Sequence, residues 1–192
     1  MKRAEQKAET RRRVLTAATR LVEKRGFQRT RTADVARATR LSHGAVFVHF
    51  QSKQALELAV ARELGRVLTD RIHALAQEGA SFREVLQAHL RCLEEHEELY
   101  ARLLVEGPLL PKGFSQTWTG IQSAVSHHLL RVAEPAMAAG TIKRQPPHLL
   151  FNTWIGLVHH YVVNRKLFAP NGPVLRKHGR MLVDHYLALV TP

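Results

Sequence analysis

Between Thr30 and Lys53 the chain gathers Arg31, Thr32, Arg40, Ser42, His43, His49 and Lys53, with Gly44, Ala45 and Phe47 set among them. Cations and hydroxyls bind phosphate oxygens, an imidazole can exchange hydrogen bonds with a base edge, and small residues permit close approach to a groove floor. That chemistry works only if the side chains share one surface. Asp34, Val35, Ala36 and Ala38 read as a first short helix and Thr39-Arg40-Leu41 as a turn. Ser42 reads as the N-cap of a second helix running through Val46 to Phe50. Val35, Leu41, Val46 and Phe50 form the apolar seam, which leaves His43, Gly44, Ala45, Phe47, Val48 and His49 partly outward, as major-groove entry requires.

Charge follows the same placement. The chain has 192 residues and a net charge of +13; residues 1–53 hold 14 Lys or Arg against 4 Asp or Glu, and the remainder only 15 against 12. A basic excess confined to one segment suggests an electrostatic footprint for phosphates. For Lys2 to Arg13 alone, a solvated basic tail is an equally good description.

The first helix is expected over Ala4–Arg25, with Val14, Ala18, Leu21 and Val22 on its core face, Gly26 in the left-handed position after it and Phe27 as the following hydrophobic contact. Thr32 is expected to cap the next helix, with Asp34 in its positive first turn. Ser52 opens a further helix that aims free N–H groups and Lys53 at a phosphate. Lys53 and Thr32 are assigned to backbone positioning, and His43, Ala45 and Arg31 to base readout. Competing readings make His49 and Phe47 packing residues and Thr32 a cap alone.

From Arg12 to Val60 the chain resembles the DNA-binding domain of TetR-family transcriptional regulators. The resemblance is carried by Val14-Leu15-x-Ala17-Ala18, Gly26-Phe27, Thr30-x-Thr32-x-Asp34-Val35-Ala36, and Ser42-x-Gly44-x-Val46-Phe47-x-His49-Phe50-x-x-Lys53. Two departures stand out: Thr39-Arg40 where the family usually has Ala-Gly, and Phe47 where it usually has Tyr. Arg40 carries a Cβ into a position that glycine normally relaxes, and Phe47 lacks a hydroxyl that commonly reaches a phosphate; Arg40 or Arg31 is a candidate replacement.

Beyond Gln54, breaks at Gly79, Gly107–Gly113, Gly140–Pro147 and Pro170–Pro173 leave helices near 52–77, 81–105, 114–138, 148–168 and 174–190. No stretch alternates long enough to argue a strand, so the chain reads as all-α. It divides into an N-terminal helix-turn-helix DNA-binding domain, 1–53, continuing into the linking helix from 52, and a helical effector-binding and dimerisation domain, 54–192. Ser81-Phe82-Arg83-Glu84 is a capping box. Phe82, Leu86, His89, Leu93 and His96 share one helix face, and Phe114, Trp118, Ile121, Val125, His128 and Val132 share another. With Tyr100 and Trp154 they are the candidate lining of a pocket for a small hydrophobic effector. The alternative is that these residues only fill a core.

Leu149–Phe168 is apolar almost all round, with Asn152, His159, His160, Asn164, Arg165 and Lys166 interrupting a stretch too short to span a membrane comfortably. Burial against a second copy fits better. With Leu175, Met181, Leu182, Tyr186, Leu187 and Leu189 of the last helix it predicts a four-helix homodimer contact, and the family resemblance implies the same. Two readers about 34 Å apart would then engage a near-palindromic operator in double-stranded DNA.

Twelve histidines and one cysteine raise a metal reading. His89, Cys92 and His96 lie at i, i+3 and i+7, and His128 or His159 could close the set, giving a metal-sensing regulator as the alternative. The lone cysteine excludes an intramolecular disulfide and suits a reducing cytosol, and no secretory pattern is seen at the N-terminus. No nucleophile elbow, phosphate loop or dinucleotide fingerprint occurs, so no cofactor is expected, and Glu94-Glu95-x-Glu97-Glu98 reads as a solvated patch. A helical enzyme would have to assemble residues such as Glu95, His96 and His128 from separate helices. A sequence-indifferent DNA packager is the third possibility. The expectation is a cytoplasmic, homodimeric, ligand-responsive regulator, a repressor in most such families, whose effector tilts the helix beginning at Ser52.

Overall fold

The computed structural model describes residues 2–77 and 79–192. Among these residues there are ten α-helices and no strand: α1 (Lys2–Arg25), α2 (Thr32–Thr39), α3 (His43–His49), α4 (Lys53–Gln77), α5 (Phe82–Glu95), α6 (Glu97–Glu106), α7 (Phe114–Ala138), α8 (Pro147–Val163), α9 (Arg165–Phe168) and α10 (Val174–Val190). The fold is all-α, as the patterning requires. Contacts divide the chain into two compact units, Met1–Glu63 with Arg102–Trp118, and Leu64–Ala101 with Thr119–Pro192.

The first unit is built on the expected α1 stripe. Val14, Ala18, Val22 and Phe27 are buried together with Val35, Val46, Phe50, Leu56 and Val60, whereas Leu21 and Leu41 are only half-buried. Each fully buried Val, Leu or Phe contributes roughly 1.5–3 kcal/mol. Gly26 ends α1 at φ 86°, where an L side chain is strained. A Cβ there would also lie 2.3 Å from the Glu106 carboxylate. That carboxylate accepts hydrogen bonds from the N–H groups of Phe27 (2.9 Å) and Gln28 (3.2 Å), so the chain reversal after α1 is fastened by a residue on α6.

In the second unit α10 packs on α5 and α8. Trp154 and Tyr186 are fully buried at its centre with ring centroids 5.1 Å apart, and the Tyr186 hydroxyl donates to the Leu150 carbonyl at 2.6 Å. The capping box at Ser81 forms as expected: Ser81 Oγ accepts from the Glu84 N–H, and the Glu84 carboxylate accepts from the Ser81 N–H at 2.7 Å.

Four expectations are corrected. The helix expected over 81–105 is two helices, α5 and α6, broken at His96. The reason lies in Glu97, which is buried rather than part of a solvated acidic patch. Its carboxylate accepts from the N–H groups of Val174 (2.8 Å) and Leu175 (2.9 Å) and so caps α10. Glu94, Glu95 and Glu98 are paired with Arg176, Arg71 and Arg165. The helix expected over 148–168 ends at Val163; Asn164 takes its N–H and its side-chain amide back to the His160 carbonyl, and α9 is a separate turn. Finally, Thr32 is the first residue of α2 and not its cap. Arg31 holds the cap position with extended backbone, and since a guanidinium cannot accept, only Asp34 serves it, taking the Arg31 N–H at 3.3 Å.

Candidate nucleic-acid interface and effector cleft

Ser42 starts α3 by accepting the Ala45 N–H at 3.1 Å. A residue in extended conformation with a side-chain cap sets the helix start firmly, and α3 is then anchored by Val46 and Phe50, both buried. Opposite that anchor, His43, Gly44, Phe47 and Val48 are exposed, and Ala45 and His49 are half-buried. Nothing lies within 4 Å of where a Gly44 side chain would start. The beginning of α3 is therefore a narrow, unobstructed ridge.

His43 and Thr32, assigned to different tasks on sequence grounds, meet in the structure. Thr32 Oγ1 lies 2.8 Å from His43 Nε2, which ties the start of α2 to the start of α3. The Phe47 ring stands edge-on to His43 at 4.9 Å while remaining exposed, so it props the imidazole rather than filling the core. His49 turns inward, with Nδ1 enclosed and without a partner among the described residues.

At the start of α4, Ser52 Oγ accepts the Ala55 N–H at 3.0 Å. Lys53 Nζ lies 3.3 Å from Glu57, so phosphate must compete with that carboxylate for the ammonium. Burial is the main cause that pushes the Glu57 carboxyl up, opposed by Lys53. Asp34 is the brace of α2. Burial alone would raise its carboxyl, but the Arg31 N–H, Arg25 and Arg37 together hold it below the usual carboxylate range. Arg31 and Arg40 are exposed. Arg40 is the sole non-glycine residue with positive φ among the described residues, at φ 56° and ψ 37°.

A profile of bacterial regulatory proteins of the tetR family matches residues 14–60, the span from α1 through the start of α4. Over that segment the chain is similar to the DNA-binding part of tetR-family regulators. The HTH-type transcriptional repressor Rv3405c of Mycobacterium tuberculosis (strain ATCC 25618 / H37Rv) is 35% identical over 94 residues, 49% of this chain and 46% of that protein. The match spans about half the length of that relative. The fold is shared more widely. FadR from Bacillus subtilis, solved in complex with stearoyl-CoA, superposes with a TM-score of 0.78 at 14% identity, over 92% of this chain and 97% of that one. Reduced NemR from E. coli gives 0.79 at 17%, covering 96% and 98%. PfmR from Thermus thermophilus gives 0.69 at 20%, covering 91% and 97%. Within the matched segment, α2 and α3 are two short helices joined by a tight turn.

The residues expected to line an effector pocket do not all share one environment. In the second unit Leu86, His89, Leu93, Tyr100, Val125 and Trp154 are buried, Ile121 and His128 are half-buried, and His96 is a half-buried residue between α5 and α6. Trp118 falls in the first unit, stacked against Phe114 at 6.0 Å. Two polar contacts run through the buried set. Trp154 donates its indole N–H to His89 Nδ1 at 3.1 Å, which fixes the His89 proton on Nε2. Tyr100 Oη lies 2.6 Å from His159 Nε2. Burial, seconded by His159, pushes the His89 imidazole down to about 3, burial takes His159 down to about 4, and burial raises the Tyr100 phenol. All three are neutral at ordinary pH.

A cleft of about 850 Å³ opens elsewhere in this unit, where the start of α5 meets the ends of α7 and α10 and the loop after α7. Of the residues on the two expected pocket faces, Phe82 and Val132 line it. Pro135, Ile142, Leu187 and Arg131 supply other parts of its wall, and Arg83 is held there by Asp184. The periodic pattern marked only Phe82 and Val132 of its lining, because helix ends and a loop converge to make it.

The alternative metal reading gains no support. Among the described residues no three His, Cys, Asp or Glu side chains gather in a group able to hold a metal ion. His89 gives Nδ1 to Trp154, Cys92 is buried with its thiol pushed up by that burial, and the break at His96 interrupts the i, i+3, i+7 stripe. The residues named for an enzyme are likewise engaged apart: Glu95 by Arg71, and His128 edge-on to His73 and His127. Among the described residues no helix is long and apolar enough to cross a membrane.

Proposed function

We propose that the protein is a cytoplasmic, homodimeric, sequence-specific DNA-binding transcriptional regulator, a repressor released by a small hydrophobic effector. The observation that carries the reading is the Ser42-capped start of α3, an open ridge of His43, Gly44 and Phe47 anchored from behind by Val46 and Phe50. Residues 1–53 supply the DNA reader, and 54–192 the effector-binding and dimerisation part. Thr32, Ser42 and Lys53 position the phosphate backbone, while Arg31, His43 and Ala45 face the bases. To engage a base, His43 exchanges its bond to Thr32 for one to the DNA.

Support for an effector comes from the cleft beside Phe82, whose volume lies in the range of small-molecule sites and whose wall combines apolar side chains with Arg131 and the Arg83–Asp184 pair. One structural neighbour holds stearoyl-CoA. Because α4 is one continuous helix with residues in both units, a ligand that prefers one tilt of α4 would change the separation of two readers. The test is selection from a randomised duplex library by the purified protein, followed by thermal-shift screening against hydrophobic small molecules that include long-chain acyl-CoA. Enrichment of a near-palindrome, released by whichever compound raises the melting midpoint, is the expected result. Equal affinity for all duplexes at fixed salt would leave a sequence-indifferent DNA binder instead.

A further inference from the structure

Between α1 and the end of α2 the first unit carries a second concavity, about 470 Å³, whose charged lining is Arg12, Arg13, Arg20 and Arg40 against the single carboxylate of Glu9. Glu9 is committed to Arg12, which it binds through both Nε (3.0 Å) and Nη2 (2.7 Å). Arg13 donates Nη2 to the Thr39 carbonyl at 3.0 Å, holding the last turn of α2 against α1. Arg20 and Arg40 are exposed and have no partner among the described residues. Three guanidinium groups thus converge on one hollow with no carboxylate left to offset them. A guanidinium presents its N–H groups in a planar fork that matches phosphate oxygens.

Arg40 reaches this wall in an unusual way. It sits in the left-handed region, which for a residue with a Cβ persists only where the surroundings enforce it and is an indicator of function when observed. Here its own N–H is held by the Ala36 and Arg37 carbonyls, so the side chain leaves the α2 turn at a fixed angle. Arg40 stands three residues before His43, a chain distance of at most about 11 Å. That is less than the major-groove width of about 12 Å. An anion in the hollow is therefore near enough to belong to a DNA strand flanking the groove that α3 enters.

We infer that this arginine hollow seats a DNA backbone phosphate beside the half-site, with Arg40 and Arg20 as its ligands and Arg13 as the residue that positions Arg40. The inference rests on the DNA-binding reading above and adds a clamp that carries affinity without base preference.

Its test is the salt dependence of binding to the duplex selected by the wild-type protein, measured by fluorescence anisotropy for wild type, Arg40→Gly and Arg20→Gln. Arg40→Gly removes the charge and also relieves the backbone, so the variant folds. Each variant is expected to bind more weakly at low salt and to flatten the log–log slope by about 0.9 per lost phosphate contact, or about 1.8 for two half-sites, while selecting the same motif. Replacing the flanking phosphates one at a time by methylphosphonate should reproduce the loss at one position in the wild type and add nothing in Arg40→Gly. Unchanged slopes in both variants, or a changed motif, overturn the clamp while leaving the regulator reading intact; a wild type that selects no motif sinks both. A saturable thermal shift with inorganic phosphate at matched ionic strength, lost in Arg40→Gly, would make the hollow a free-anion site and overturn its assignment to DNA.

Discussion

Arg40 sets conformational strain against charge. At φ 56° its Cβ crowds the backbone, a cost of about 1–2 kcal/mol that glycine escapes, while glycine in turn gives up about 0.5–1 kcal/mol of chain entropy on folding. Arg40→Gly is therefore expected to raise unfolding stability by roughly 0.5–1 kcal/mol, seen as a higher urea midpoint at constant m. Glu97 makes the opposite case. Its buried carboxylate holds two N–H groups that begin α10. Glu97→Gln keeps one acceptor oxygen and should lose about 1–3 kcal/mol; Glu97→Ala strands both donors and should lose more. If Glu97→Ala unfolded at the wild-type midpoint, the carboxylate would not be the cap that starts α10.

At the scale of helices, α5, α6 and α8 are tied through imidazoles that the native state keeps neutral. His89 accepts from Trp154 and His159 meets Tyr100, with folded-state values of about 3 and about 4 against an ordinary 6.5. Above pH 6.5 neither ring binds a proton in either state, and the full stability is present. As pH falls below 6.5 the unfolded chain takes up protons that the native state refuses, so stability declines by up to about 1.4 kcal/mol per pH unit for each ring. The decline slackens below about 4, where His159 protonates in the folded state. Urea unfolding between pH 7 and pH 4.5 should show this slope, and His159→Leu should flatten it; an identical slope in that variant would remove His159 from the account. Neighbouring residues made the local parts of this architecture legible. Ser42 and Ser81 lie three residues from the N–H groups they cap, and Gly26 directly follows the helix it ends. The breaks at His96 and Asn164 were not legible, because Glu97 answers to Val174, 77 residues away, and the apolar spacing runs on through both breaks. Periodicity likewise placed His89 and Leu93 on one face but could not say whether that face met a void or another side chain. The phosphate hollow was hidden for a related reason: Arg12, Arg13 and Arg20 read as ordinary charges on α1 until Arg40 is brought opposite them.

For the whole molecule the decisive quantity is the number of chains. α3 has seven residues and offers a few side chains to the bases, too few for one copy to select a long site. The second unit leaves a set of large apolar side chains in water: Leu149 and Val163 on α8, Leu167 on α9, and Met181 and Leu189 on α10, between 45% and 75% exposed. The opposite sides of α8 and α10 are already used, since Trp154, Val158, Leu182 and Tyr186 are buried within the chain. A twofold mate laying its own α8 and α10 on the exposed set would complete a four-helix contact and cover this surface at a gain of about 25 cal/mol per Å². Val163→Glu combined with Met181→Glu places charge on both helices at positions that the monomer exposes, so each chain should keep its helicity and its unfolding midpoint at high dilution. Sedimentation should then report a dimer for the wild type and single chains for the variant. Operator affinity should fall by about 10²-fold or more, because the second half-site no longer benefits from the effective concentration that linkage confers. A variant that still sediments as a dimer would place the mate on another surface, and one that sediments as single chains yet binds the full operator with wild-type affinity would remove the need for a mate altogether.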